Sequence, residues 1–185
     1  MALLEKLMLA RAISFKDGNI SLFTNRVVMP PSKMFSELSR KIDGNPEQVY
    51  NLYESCKYSF EDVIANDNRT YKFSVNDYIK WIMEVATFTG WGILAWKELD
   101  KDKKHSTIVV DNSPVAVDLK TKVKRPVDHV VRGFIAGGMS AAFKTDMDVI
   151  ELECVALGAP QCKFLSMPAS EIRMSPNTVA QLRPK

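Results

Sequence analysis

Cysteine and histidine are scarce in this sequence, with three cysteines and two histidines among 185 residues. Three thiols cannot form a paired disulfide framework, so the expectation is reduced thiols and a cytoplasmic setting. Two histidines leave little material for histidine-based catalysis, and neither a glycine-rich phosphate loop nor a nucleophile elbow is present. No apolar run approaches the roughly 20 residues of a membrane span. Residues 1–12, MALLEKLMLARA, carry Glu5, Lys6 and Arg11 and read as a short amphipathic helix rather than an export leader. Net charge is only +3, too little to call for nucleic acid or an anionic membrane. The basic runs Lys101–Lys104 and Lys120–Arg125 come without a nucleic-acid motif and read as solvated loops. A helix-turn-helix and an ATPase segment are both missing, so any transcriptional output is expected to run through another protein.

What is present is ordinary globular composition, 46% hydrophobic and 25% charged, in a length suited to one domain. That domain is expected over residues 1–168, with 169–185 as a polar, loosely held tail. Ile13–Phe15 and Ile20–Phe23 flank Asp17-Gly18, a hairpin signal. A short strand over Arg26–Met29 should end at Pro30-Pro31. A helix follows from Ser32, with Met34, Phe35, Leu38 and Ile42 on its apolar face. Asn45-Pro46-Glu47-Gln48 opens a second helix, with Asn45 as cap and Gln48 in capping-box position. Its apolar positions run from Val49 to Ile64, and Asn66-Asp67-Asn68 should stop it. Ser74 and Asp77 form a box pattern for a third helix, bearing Val75, Tyr78, Ile79, Ile82, Met83 and Ala86.

Beyond Gly90-Trp91-Gly92, Ile93–Leu99 and Thr107–Val110 read as a second hairpin around a charged turn. Val115–Arg125 is polar and reads as loop. Val127–Phe143 is a helix rich in small residues. Gly133, Gly137 and Ala141 share one of its faces, which calls for close approach of a sheet, another backbone or a ligand. Val149–Ala156 and Lys163–Met167 are the last strands, turning at Gly158-Ala159-Pro160.

One cluster carries metal-like chemistry: Glu151, Cys154 and Cys162. Thiolates are soft donors suited to zinc, and a carboxylate can complete a mixed site. Two buried small hydrophobes would give the same cysteine spacing. On a regular strand residues 151 and 154 face opposite ways. Both reach one ion only if a bulge or a strand end intervenes. Cys56 reads as core and His105 as exposed.

The stretch Glu151-Leu-Glu-Cys154-Val-Ala-Leu-Gly158-Ala-Pro-Gln-Cys162-Lys-Phe164, preceded by Gly133-Phe134-Ile135-Ala136-Gly137, resembles the C-terminal half of the 4-vinyl reductase family of small-molecule-binding domains. The early layout, a hairpin followed by Val27-Val28-Met29-Pro30 and a helix bearing Phe35, is similar too. The specific part is residues 129–165. The resemblance implies an α+β fold, helices packed against an antiparallel sheet, of the NO-signalling and Golgi-transport ligand-binding type. It implies a homodimer that binds a small apolar ligand, related to sensor domains of phenol- and xylene-responsive regulators and to subunits of the vesicle-tethering TRAPP complex. It also implies a structural zinc held by Glu151, Cys154 and Cys162. At the fourth place, where the aromatic-sensing branch has a cysteine, this chain offers His129, the preferred choice, or Asp128, which could instead cap the helix.

Trp81, Phe88, Trp91 and Trp96, with Phe134, Met139 and Phe143, are the candidate lining of an apolar cavity. The expected function is binding of a small hydrophobic molecule, aromatic or hydrocarbon-like, as sensor or carrier. Two alternatives stand beside it. One is a reductase or accessory protein acting on a vinyl-bearing tetrapyrrole, for which no nicotinamide or flavin fingerprint is visible. The other is an assembly module of a protein complex.

Overall fold

The computed structural model describes residues 13–72, 74–172 and 175–182. The helix expected over residues 1–12 lies outside them. The chain opens with a three-stranded antiparallel sheet, β1 (Ile13–Lys16), β2 (Asn19–Leu22) and β3 (Asn25–Val27). Lys16 pairs with Asn19, so Asp17 and Gly18 form the whole loop. Both have positive φ, 49° and 73°, the conformation that matches the strand twist in a two-residue hairpin.

Helix α1 (Ser32–Ile42) follows. It buries Ser36, Ser39 and Ile42, while Met34 and Leu38 are exposed. The expected apolar face is therefore rotated, and a Ser36 Oγ bond of 2.9 Å to Asp118 Oδ2 accompanies the change. Helix α2 (Pro46–Tyr71) is capped as expected by Asn45, whose Oδ1 accepts from Gln48 N at 3.2 Å. It does not stop at Asn66. Asp67 turns inward and accepts from Thr24 and Asn25 of the first sheet, so tertiary partners override a local stop signal. Helix α3 (Val75–Phe88) carries the full capping box of Ser74 and Asp77.

The second sheet contains β4 (Ile93–Asp100), β5 (His105–Asp111), β6 (Met147–Glu153) and β7 (Cys162–Pro168), all antiparallel, in the order β4-β5-β7-β6. The loop expected at Val115–Arg125 begins instead as a short helix, α4 (Pro114–Asp118). Ser113 caps it, and Val115, Ala116 and Leu119 are buried. The basic run after Leu119 is exposed at Lys120, Lys122, Lys124 and Arg125.

Helix α5 (His129–Phe143) is buried on nearly every face, as expected of a helix apolar all round. Its small residues face a helix rather than a sheet. A Cβ on Gly133 would lie 2.7 Å from the Tyr53 carbonyl oxygen, and one on Gly137 would run into the Lys57 carbonyl. Gly138 meets only the flexible end of Ile82. A last helix, α6 (Pro176–Gln181), is capped by Ser175 and buries Thr178 and Gln181. The expectation of a loosely held tail is corrected for residues 175–182.

Gly137→Ala is expected to lower stability by about 1–3 kcal/mol through backbone overpacking, outweighing the ~1 kcal/mol of helix propensity gained. Gly138→Ala should be far milder. Thermal melts of the two variants check this, and a Gly137→Ala protein more stable than wild type would refute the close approach.

Candidate functional site

The sequence places Glu151 near the end of β6, where the ladder skips a residue. Glu151 pairs with Phe164 and Glu153 with Lys163, leaving Leu152 as a bulge. One extra residue restores the face that spacing alone would invert. Glu151 is therefore fully buried, whereas Leu152, expected on the apolar face, is 43% exposed. Cys154 lands on the same side as Glu151. A 3-10 turn (Val155–Leu157) then closes at Gly158, whose φ of 96° is in the left-handed region, and leads into Cys162. Val155 N donates to Cys162 Sγ at 3.3 Å.

Asp128 completes the group. Ligand atoms of Asp128, Glu151, Cys154 and Cys162 all lie within 4.8 Å of one another, and all four residues are buried. Asp128 occupies the N-cap position of α5 but makes no side-chain cap bond. Its Oδ1 accepts from Ser113 Oγ at 2.6 Å, and its main-chain N donates to Glu151 Oε2 at 3.1 Å. Asp128 Oδ2 and Glu151 Oε1 are buried without a hydrogen-bond partner.

The electrostatics follow from crowding acids out of water. Burial, then the Asp128 carboxylate, pushes Glu151 well above the usual range. Burial pushes Asp128 up against the opposing Ser113 bond. Hydrogen bonding to Cys162 brings Cys154 down to about 7, and the same interaction, with burial, raises Cys162. These four side chains could hold a metal ion.

His129, the preferred fourth residue, does not join them. Its ring is buried and its Nδ1 accepts from Arg132 Nη2 at 3.2 Å. Burial, and then Arg132, hold it well below its usual pKa. The place falls to Asp128. Arg132 is itself fully buried. It donates to the Val149 and Gln181 carbonyls and lies 4.5 Å over the Tyr53 ring. Gln181 pairs by both ends of its amide with the main chain of Glu151, at 2.8 and 2.9 Å. Sequence reasoning missed Arg132 and Gln181. The i, i+3 spacing of His129 and Arg132 was the available signal.

A second site lies between the first sheet and the helices. It is a cavity of about 540 Å³, within the ~300–1,000 Å³ range of small-molecule pockets. Of the expected lining, Trp81, Phe88, Trp91 and Phe134 take part. Trp96, Met139 and Phe143 do not. Met139 is fully buried, and Trp96 and Phe143 pack against the core. The residues missed belong to β2 and α2, among them Ile20, Phe60, Val63 and Asp67. Their signal was the i, i+3, i+7 stripe Phe60, Val63, Asp67. Aromatic pairs stiffen the walls: Phe23–Trp81 at 5.5 Å, Phe35–Trp91 at 5.0 Å, and Phe60–Phe134 edge-on at 4.7 Å.

The fold is that of the NO-signalling and Golgi-transport ligand-binding class. The phenol-responsive sensory domain of the transcription activator PoxR, solved with phenol, superposes with a TM-score of 0.77 at 19% identity, covering 100% of both chains. Trafficking protein particle complex subunit 3 from Naegleria fowleri, covalently bound to palmitic acid, gives 0.58 at 14% identity over 77% of this chain and 95% of that one. A vinyl-4-reductase family protein from Methanocaldococcus jannaschii gives 0.49 at 20% identity, over 77% and 82%. Residues 107–167 match the family model of the 4-vinyl reductase domain, and the chain belongs to that family through this segment. No curated protein matches the sequence. The matched segment holds the four-residue cluster whole but only Phe134 of the cavity lining. Among the described residues, no helix is long and apolar enough to cross a membrane.

Gln181→Ala strips two buried main-chain groups of Glu151 of their partners. Each such loss costs about 1–3 kcal/mol. The variant should melt several degrees lower, and an unchanged melting temperature would show that α6 contributes nothing to β6.

Proposed function

We propose that this chain binds a small hydrophobic molecule, aromatic or hydrocarbon-like, as a sensor or carrier. The observation that carries the reading is the cavity of about 540 Å³ with paired aromatic walls. An engineered cavity of ~150 Å³ already takes benzene, so this one accommodates more than a single ring. Binding would be shape-selective burial, with the hydrophobic effect as driving force. Phe134 of α5 lines the cavity, which links occupancy to the helix that begins at Asp128. The proposal includes a homodimer, supported by the exposed apolar side chains Met34 and Leu38 of α1. It also includes a reducing, cytoplasmic setting, supported by the free thiols of Cys154 and Cys162.

The same proposal assigns a structural zinc to Asp128, Glu151, Cys154 and Cys162. Two thiols and two carboxylates suit that ion. The orphaned oxygens Asp128 Oδ2 and Glu151 Oε1 support the fit, since buried acids without a partner call for a cation. Bound there, the ion would supply charge neutralisation and a cross-link between α5 and the β6–β7 turn, with no open position for catalysis.

Isothermal titration with naphthalene should give saturable binding near one equivalent per chain, abolished in a folded Val63→Trp protein whose cavity is filled. Binding that survives this change would locate the ligand elsewhere. Metal analysis of untagged protein should find about one zinc per chain. Asp128→Ala should lose it and His129→Ala keep it. The reverse result would overturn the ligand set.

A further inference from the structure

We propose that Asp67 determines specificity in the cavity, its free carboxylate oxygen selecting apolar ligands that carry one hydrogen-bond donor, a hydroxyl or an amine. This rests on the cavity being the ligand site and names the chemistry that the site prefers.

Asp67 projects from α2 into the cavity lining and is 1% exposed. Its two oxygens differ sharply. Oδ1 accepts from Thr24 Oγ1 at 2.6 Å, from Asn25 Nδ2 at 2.9 Å and from Thr24 N at 3.3 Å. These three donors fix the rotation of the carboxylate. Oδ2 is left buried without a hydrogen-bond partner. Arg26 is the basic residue of the lining, and no ion pair joins it to Asp67 among the described residues. Native structures leave few such atoms unsatisfied, and each calls for an explanation.

A ligand donor supplies it. An O–H or N–H placed at Oδ2 completes the shell of a carboxylate already held in place, so little freedom is lost on binding. The aromatic walls take the rest of the molecule. A ligand with only acceptors, or with a carboxylate of its own, brings a second electron-rich atom to the same oxygen and is disfavoured. Burial pushes the Asp67 carboxyl upward, while the Thr24 and Asn25 bonds act against that. The bonds to Oδ1 thus favour the ionised, accepting form.

The test compares three ligands of nearly equal shape, 2-naphthol, 2-naphthylamine and 2-methylnaphthalene, by isothermal titration into the full chain and into Asp67→Asn. Wild type should bind the naphthol or the naphthylamine ~10-fold or more tightly than the methyl compound, the gain expected of a bond to a charged acceptor. In Asp67→Asn the amide oxygen keeps Thr24 and Asn25, and the amide nitrogen faces the cavity. The preference should disappear, with 2-methylnaphthalene affinity unchanged within about twofold. The wild-type ranking needs no variant, so misfolding of Asp67→Asn leaves the test intact. Equal binding of all three compounds by wild type overturns the role of Asp67 and leaves the cavity reading standing. A preference retained in folded Asp67→Asn does the same. Binding of none overturns both.

Discussion

The contact on which the structure depends is main chain against main chain, where α5 crosses α2. Gly133 and Gly137 let the carbonyls of Tyr53 and Lys57 come closer than any side chain would allow. Interiors are packed to near-crystalline density, so such a contact positions everything around it. With α5 held against α2, its remaining faces meet α3 and the four-stranded sheet. The helix becomes the axis of the domain.

That axis serves two regions at once. Its N-terminal end presents Asp128 to the acidic cluster and Arg132 to the β6 main chain. Phe134 reaches the opposite region, where its ring meets Phe60 in the cavity wall. Arg132 is a fully buried cation. It is tolerable because carbonyls, an imidazole nitrogen and an aromatic face surround its head group. Burial lowers its affinity for a proton, and the Tyr53, Glu151, Asp148 and Asp128 groups raise it. The same buried region also contains Tyr53, whose hydroxyl donates to Asp148, while Lys57 bridges Asp146 and Asp148. Charge around α5 is thus organised from both α2 and β6.

Local chemistry made much of this legible in the sequence. Asp17-Gly18, Asn45 with Gln48, and Ser74 with Asp77 act within four residues of themselves, and each does what its type dictates. What failed to show was set by distant partners. Asp67 reads as a helix stop until Thr24 and Asn25 are brought to it. Glu151 reads as half of a polar face until Leu152 bulges out. His129 and Asp128 are equivalent as neighbours at a helix start, and Arg132 decides between them by occupying the imidazole. The aromatic residues were a set without a map. Trp81, Phe88 and Trp91 reach the cavity, but Trp96, Met139 and Phe143 are spent on packing. Composition names aromatic residues; only topology says which surface each one lines.

The sheet ends on one side at β6, an edge whose outward main-chain groups would ordinarily be open to pairing. Here side chains occupy them in turn. Ser140 accepts from Met147 N, Tyr53 accepts from Val149 N, Arg132 donates to Val149 O, and Gln181 takes both groups of Glu151. Four residues from three helices imitate a fifth strand without supplying one. A foreign strand would find no free donor or acceptor at these positions, which protects the domain against edge-to-edge aggregation. Growth of this sheet by strand addition is left to β4 alone.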